Sequence, residues 1–553
     1  MLVYVMSSWL LVFSFFSQQA QPPAASVPVP APQSFRVSGS VVDALNGQPL
    51  ARAQVSLLLQ SVRDSELATV TTDDGRFRFE GLVPGKYALT ARRTGYLPQF
   101  YKQHGQFSTA IIVGADLDTG NLRFALLPEG AISGRVLDEM NEPVRNAQVL
   151  LFRQGLSLGT RGTRQENSMS TDDRGQFRFA HLAAGTYFVA VSARPWYAQP
   201  VTHQRMTTGD SSGTITEVLI TNGEPELDVL YPVTFFPNAT DFIGAAPITL
   251  GVGDAETADI TVHPVPALHM TIHAAPSGES EGIWAQVSQP LIAGVQNQVP
   301  VSYQQTAPGV LEISGLPPGR LNVRLGASKD GNMAYRSQNV QLAGDMDINT
   351  ETMASASVGG FFKSDDGSPL SQPVQLQLRD KASGEILFLQ ADRAKESKFS
   401  ELDLAPGIYD VAVVSPRAAA LKSLSATGAK ASGNTLEIDV GQRAELSVVI
   451  SRGTSRISGV ALKDGKPIDG VLVILVPEVL EHNLVLFRRD QSDSDGSFNL
   501  NGILPGKYTL VAVENAWELE WFKPGVIQKY LAGGQEVRVA PDSKQTVNVN
   551  VQP

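Results

Sequence analysis

The residues of this 553-residue chain suited to catalysis or metal binding are few: seven histidines, no cysteine, and two serines in Gly-x-Ser-x-Gly settings. Without cysteine there is no disulfide, no thiolate ligand and no sulfur nucleophile. A zinc peptidase grips its metal with a His and a Glu close in sequence. None of His104, His181, His203, His263, His269, His273 and His482 has Glu three residues on or forms His-Glu-x-x-His. His269 and His273 are an even number apart and share one face of a strand, but no carboxylate stands between or beside them, so they read as ordinary strand histidines. No metal and no cofactor is expected.

Ser211 lies in Gly209-Asp210-Ser211-Ser212-Gly213 and Ser280 in Gly278-Glu279-Ser280-Glu281-Gly282. A nucleophile elbow holds its serine between a strand and a helix. Ser280 instead lies between strand-like runs, in an acidic turn whose carboxylates oppose a developing oxyanion. Ser211 lies in a loop-like stretch with no core to orient the nearby His203. A hydrolase using Ser211 or Ser280 is the alternative; the expectation is that the chain is not an enzyme. Acidic turns such as Asp73-Asp74 and Asp493-x-Asp495 have oxygens for calcium, yet Asp-Gly is what a tight hairpin demands.

The elements that would position such residues announce themselves as a repeat. Asp74-Gly75-Arg76-Phe77 is followed by Pro84-Gly85-Lys86-Tyr87, and the 10 residues from Gly75 to Gly85 recur from Gly175 to Gly185, Gly309 to Gly319, Ser397 to Gly407 and Gly496 to Gly506. Gly after Asp supplies the positive φ of a hairpin, and Pro-Gly suits a type II turn. Between the turns one short strand alternates, as in Phe77-Arg78-Phe79, and covers a core on one side. The next strand opens with Tyr87, Tyr187, Tyr409 or Tyr508 (Leu321 in the third copy), placed to turn its ring inward and its hydroxyl back to the turn backbone. Upstream, Val37-Ser38-Gly39, Ile132-Ser133-Gly134, Val358-Gly359-Gly360 and Ile457-Ser458-Gly459 open their copies; the third copy lacks this opening.

This order of Ser-Gly opening, proline turn, Asp-Gly hairpin and Pro-Gly-x-Tyr corner resembles the carboxypeptidase regulatory-like domain, a prealbumin-like sandwich of about seven strands. The resemblance is good in copies one, two and five, partial in four and marginal in three. It implies a module without an active site, a kind that also occurs in surface proteins and ahead of outer-membrane transporters. The predicted fold class is therefore all-β, a tandem array of immunoglobulin- or prealbumin-like sandwiches. The units expected are 35–128, 129–265 with an insertion after Pro195, 266–353, 354–453 and 454–553. A signal peptide, 1–20, and a Pro-rich linker, 21–34, are expected to precede them.

A net charge of -11 and a pI near 5.3 give no attraction to phosphate backbones, so nucleic acid is not an expected partner. The apolar run Met1–Phe16 has the length of a signal-peptide core rather than a spanning helix, which needs about 20 residues. Export is expected, with no stable membrane span once that run is cleaved. A transporter relative would need amphipathic membrane strands after the modules, and none follows. The best functional lead is aromatic. Nine residues after the corner tyrosine stand Tyr96, Trp196 and Trp517, and the last copy adds Trp521, Phe522 and Tyr530 among Glu518, Glu520 and Lys523. Rings interleaved with charges suit a surface that stacks on an envelope polysaccharide or anchors a surface protein. The competing reading is that they close the open end of each sandwich.

Overall fold

The computed structural model describes residues 34–553 apart from 63–64, 158, 210–214, 274–280, 293–294, 308, 330–331, 350–355, 368–373, 382–383, 391–397, 416–418, 453–454 and 480–485. Ser211, Ser280, His482 and the segment 1–33 lie outside the described residues. What is described is nearly all strand, arranged as five successive β units, each with its own apolar core; the first four are two-sheet sandwiches, and in the fifth Val549–Gln552 pairs with both Ser455–Lys463 and Gly506–Val513, so its two faces join in one nine-stranded sheet.

The first sandwich shows the wiring. One sheet runs Arg76–Leu82, Phe35–Asp43, Leu122–Leu126; the other runs Glu66–Val70, Gln54–Leu59, Gly85–Arg92, Gln99–Phe100, with Ile111–Val113 also on Gly85–Arg92. The opening strand pairs antiparallel with the strand after the Asp-Gly turn and parallel with the last strand of the unit; that turn, expected as a hairpin, instead crosses from one sheet to the other, since Glu66–Val70 and Arg76–Leu82 lie in different sheets. The same parallel closure joins Gly130–Leu137 to Ala255–Thr257, Leu268–His273 to Met346–Asn349, Ala356–Ser364 to Arg443–Arg452, and Ser455–Lys463 to Lys544–Thr546. The third unit is thus a full pair of four-stranded sheets despite its missing opening motif.

This closure explains the opening glycine. A Cβ on Gly39, Gly134, Gly360 or Gly459 would collide with the backbone oxygen of Leu122, Ala258, Leu446 or Val547, each at the chain's return beside the opening strand. The inward alternation follows the strand period: Phe77, Phe79 and Leu82 are buried while Arg76, Arg78 and Glu80 are exposed. Burying such faces from both sheets is the main driving force for each unit.

The corners hold their tyrosines tightly. Tyr87, Tyr187, Tyr409 and Tyr508 are buried, and each hydroxyl donates to the carbonyl four residues back: Val83 (2.9 Å), Ala183 (2.6 Å), Ala405 (2.6 Å) and Leu504 (2.9 Å). Burial pushes all four phenols above their ordinary pKa. One detail differs from the type II reading: Gly85, Gly407 and Gly506 do not have positive φ. The left-handed residue lies earlier, at Gly81 (φ 72), His181 (φ 56), Gly315 (φ 84) and Gly502 (φ 68), where the ladder to the opening strand slips register. That is a β-bulge, which lets the strand bend toward the corner. Gly85 is instead a close approach, since a Cβ there would meet Leu59 Cδ1 at 2.7 Å.

The second unit carries its insertion as a hairpin, Thr202–Gly209 with Ile215–Asn222, and short strands Val229–Leu230 and Thr234–Phe235. The fifth carries the one α-helix among the described residues, Pro524–Leu531. No helix among the described residues is long and apolar enough to cross a membrane.

Candidate functional site

Several of the residues singled out from the sequence, Asp493, His104, Trp517, Trp521 and Phe522, gather where the fifth sandwich meets the first two. Its turn 491–496 lies against the loop Lys102–Ala110 of the first sandwich. Asp493, its side chain 4% exposed, accepts Lys86 Nζ at 2.5 Å and the Ala110 N–H at 3.1 Å. Around it the backbones interlock: the Ser494 N–H donates to Ala110 O (3.0 Å), the Ile112 N–H to Ser494 Oγ (2.8 Å) and Thr109 Oγ1 to Ser492 O (3.2 Å). Gln491 Nε2 donates to both Lys102 O and Thr109 Oγ1, while its Oε1 accepts from His104 Nδ1 at 3.1 Å. Lys102 reaches Asp469 at 2.7 Å. Desolvation pushes the Asp493 carboxyl up to about 6, against the opposing pull of Lys86. It pushes His104 down.

The rings complete this joint. Trp517 lies flat on His104, centroids 4.4 Å apart and planes 3° apart, with Phe107 at 6.0 Å. The Arg489 guanidinium sits over Phe107 (5.1 Å) and Trp521 (4.3 Å), a cation–π arrangement. Trp521 is 2% exposed, packed with Phe487 and Phe522. On its far side the second sandwich contributes the turn between Gln148–Ser157 and Thr160–Ser170. The Phe522 N–H donates to Gly159 O (3.1 Å), the Arg161 N–H to Glu520 Oε1 (2.9 Å), and Arg161 pairs with Glu518 at 3.6 Å. Gly159 (φ 80) leaves the room that a Cβ would take from Trp521 Cε2, 2.6 Å away.

The expectation of an open stacking platform at Trp517, Trp521, Phe522 and Tyr530 is therefore corrected. Trp521 is buried, one face of Trp517 is covered by His104, Phe522 and Tyr530 are half-buried in the same cluster, and Glu518 and Glu520 engage Arg161. The physical reason is that mixed rings and charges describe a joint between two sandwiches as well as they describe a ligand surface. Tyr96 closes the end of its own sandwich, its hydroxyl donating to Asp43 Oδ2 at 2.8 Å with Arg93 over the ring. Trp196 behaves otherwise. It is 84% exposed on the tip of the second sandwich, edge-on to Tyr197. Tyr197 and Tyr231 both donate to Glu139 (2.6 and 3.2 Å), and burial beside that carboxylate pushes the Tyr197 phenol up to about 12.

A second joint uses His269. The sequence offered it no carboxylate, yet the fold brings Asp228 (2.6 Å) from the second sandwich's insertion and Glu312 (3.6 Å) from the neighbouring strand, all three largely buried. His273 points elsewhere, toward Asp347 at 3.7 Å. Among the described residues no group of three or more His, Cys, Asp or Glu is arranged to hold a metal.

Residues 36–116 and 131–219, in the first two sandwiches, match the family model of the carboxypeptidase regulatory-like domain. The resemblance carried by the paired turns is thereby shown for these two copies. A curated relative, Colossin-A of Dictyostelium discoideum, is 29% identical over 164 residues, which is 26% of this chain and 1% of that protein, so the chain spans a very small part of it. Among solved structures, a streptococcal ancillary pilin aligns at 12% identity with a TM-score of 0.21, over 52% of this chain and 99% of the pilin. The minor pilin GBS52 of Streptococcus agalactiae aligns at 14% identity and 0.21, over 42% and 97%. The Bacillus anthracis TIE protein aligns at 11% identity and 0.14, over 73% and 68%.

Proposed function

We propose that the chain is an exported, non-enzymatic binding or spacer protein of the cell envelope, whose sandwiches present surface to a polysaccharide or a surface protein. The observation that carries this reading is the clamp. An active site leaves its perturbed titratable groups facing a cleft. Here the buried Asp493, its Lys86 partner and His104 are committed to holding the fifth sandwich against the first, which makes the array a shaped support. The match of the first two sandwiches to a regulatory-like domain supports the same reading, as does the apolar run Met1–Phe16 for export.

The test is to express the chain in an exporting Gram-negative host, follow its location and mass, and treat the folded product with a fluorophosphonate probe. Expected are recovery from the envelope or medium without roughly the first twenty residues, the usual signal-peptide length, and no labelled serine. Labelling of Ser211 or Ser280 overturns the non-enzymatic reading, and retention in the cytoplasm overturns export. A glycan and peptidoglycan binding screen on the same sample names the partner class.

A further inference from the structure

The joint between the second and third sandwiches differs from the clamp in what it leaves unpaired. At the clamp Asp493, Gln491, Thr109 and Lys102 all bond across to the facing sandwich. The other joint is fastened too: Asp228 meets His269 at 2.6 Å, Ser314 Oγ donates to Val201 O at 3.1 Å, and Ile292 is buried among Phe152 and Phe235. Beside these contacts remains a cleft of about 590 Å³, part of it open to solvent, a size that takes a small ligand.

Arg194 and Asp228 line the cleft from the second sandwich; Gln289, Asn297 and Ser302 line it from the third. Gln289 and Asn297 are direct partners on the ladder between Glu281–Ile292 and Val295–Gln298, so they share one face of that sheet. Among the described residues the side chains of Arg194, Gln289, Asn297 and Ser302 have no hydrogen bond or ion pair, and Asp228 Oδ1 has none although Oδ2 faces His269. Pro200, Pro300 and Pro317 add rigid apolar surface to the same walls. Polar groups at a packed joint are ordinarily paired with one another. Here they converge unpaired on one preformed cleft, the arrangement of a site for a polar ligand.

The chemistry of the lining selects the ligand class. Amides and hydroxyls both donate and accept, the Asp228 carboxylate accepts, and the Arg194 guanidinium donates. That mixture matches a ligand whose hydroxyls also do both, set on an apolar ring frame. A phosphate would meet the Asp228 carboxylate, with Glu312 behind it at 3.6 Å from the same histidine. A calcium ion takes about six to eight oxygens, several of them from carboxylates, and Asp228 is the one acidic residue on the lining. An apolar ligand would leave the amides dry. We propose that this cleft binds one or two sugar units of an envelope polysaccharide. The proposal rests on the binding reading above and names where that binding occurs: at the joint of the second and third sandwiches rather than on the aromatic loop of the fifth.

Saturation-transfer NMR and calorimetry on the full chain test this, with cellobiose, maltose, mannobiose and N,N′-diacetylchitobiose as probes and tri-alanine as the peptide control. Expected is saturable binding of at least one disaccharide with a Kd of about 1 mM or tighter. Asn297→Ala and Ser302→Ala are each expected to weaken it at least about fivefold, as for one lost hydrogen bond, with unchanged melting, and Trp196→Ala to bind as the parent does. No binding of any of the four at about 10 mM, well above that Kd, overturns the proposal and leaves the spacer reading standing. Binding that both cleft variants retain, or that Trp196→Ala abolishes, overturns the cleft as the site and leaves polysaccharide binding standing. Binding of tri-alanine, lost in Asn297→Ala, with no sugar bound, makes the cleft a peptide site and overturns the sugar. Failure of the exported, non-enzymatic reading is read separately, from serine labelling or cytoplasmic retention.

Discussion

Asp493 is held at the joint by an ion pair with Lys86 and an N–H from Ala110, yet its burial costs more than these return, and its carboxyl titrates near 6 rather than 3.8. An acid with a raised value in the closed form binds its proton more tightly there than in the opened chain. Its contribution is therefore most favourable below 3.8, declines as pH rises between 3.8 and about 6, and is least favourable above that. The nearby Asp490 is also pushed up by burial. Glu139 works oppositely: tyrosine hydrogen bonds hold it below its ordinary value despite its desolvation, so its stabilisation is lost as pH falls. Asp493→Asn isolates the first effect. Urea unfolding at pH 4.5, 6 and 7.5 is expected to show the variant gaining on the parent as pH rises, by at most about 3 kcal/mol for a shift of this size. Parallel pH profiles would show that the carboxyl is as well solvated closed as open. The corner tyrosines make a second residue-scale prediction: Tyr508→Phe loses the bond to Leu504 O and about 1 kcal/mol, whereas Tyr508→Ala leaves a cavity and loses about 3–5 kcal/mol. Melting curves that place the two variants together would deny the ring its role in the core.

At the scale of elements, the turn carrying Gly159 decides whether the second and fifth sandwiches touch. An added methyl would stand 2.6 Å from Trp521 Cε2 and 2.7 Å from Phe522 Cβ, on a backbone at φ 80 that disfavours any side chain. Gly159→Ala is expected to displace the Trp521–Phe522 segment, with a red shift of tryptophan emission and a loss of about 1–3 kcal/mol, the usual range for overpacking. Unchanged emission would mean the contact is not formed in solution. This turn also marks the limit of what sequence patterns disclose. The tight Asp-Gly turns, the alternation of Phe77 and Phe79 and the corner tyrosines are legible because their contacts lie within a few residues or obey a period of two, whereas the turn's crossing between sheets, read as a hairpin, shows only in the fold. The opening glycines are visible as a pattern, but their reason, the parallel return of the last strand, appears only in the fold. The joint is illegible for the same reason carried further: Lys86 and Asp493 are 407 positions apart, and Trp517 among glutamates looks the same whether its neighbour is a sugar or His104. Trp196 and Trp517 occupy one repeat position, and only the packing distinguishes an exposed ring from a covered one.

For the whole molecule, the question is whether five units that each close on their own last strand are also one body. We propose that the boundaries near 128, 265, 353 and 453 separate units that fold independently, since each has its own core and its own parallel closure and about 100 residues suffice for a sandwich, the second and third being packed together in addition by a buried cluster of Phe152 and Phe235 with Ile292. The clamp is then an interaction between folded parts rather than a shared core. A tether of two intervening sandwiches supplies the fifth with an effective concentration of order millimolar at best. For the clamp to stay closed in the intact chain, its intrinsic Kd must therefore be tighter than about 1 mM. Residues 35–265 and 454–553, made separately, are accordingly expected to fold and then to bind one another saturably in a calorimeter. Lys86→Ala with Trp517→Ala removes the buried ion pair and the stacked ring and is expected to abolish that heat, while each fragment keeps its circular dichroism. Fragments that fold but do not bind would make the array an open string. A fragment 454–553 that stays unfolded until 35–265 is added would instead show a core completed across the joint, with Trp521 and Phe487 as part of that folding unit.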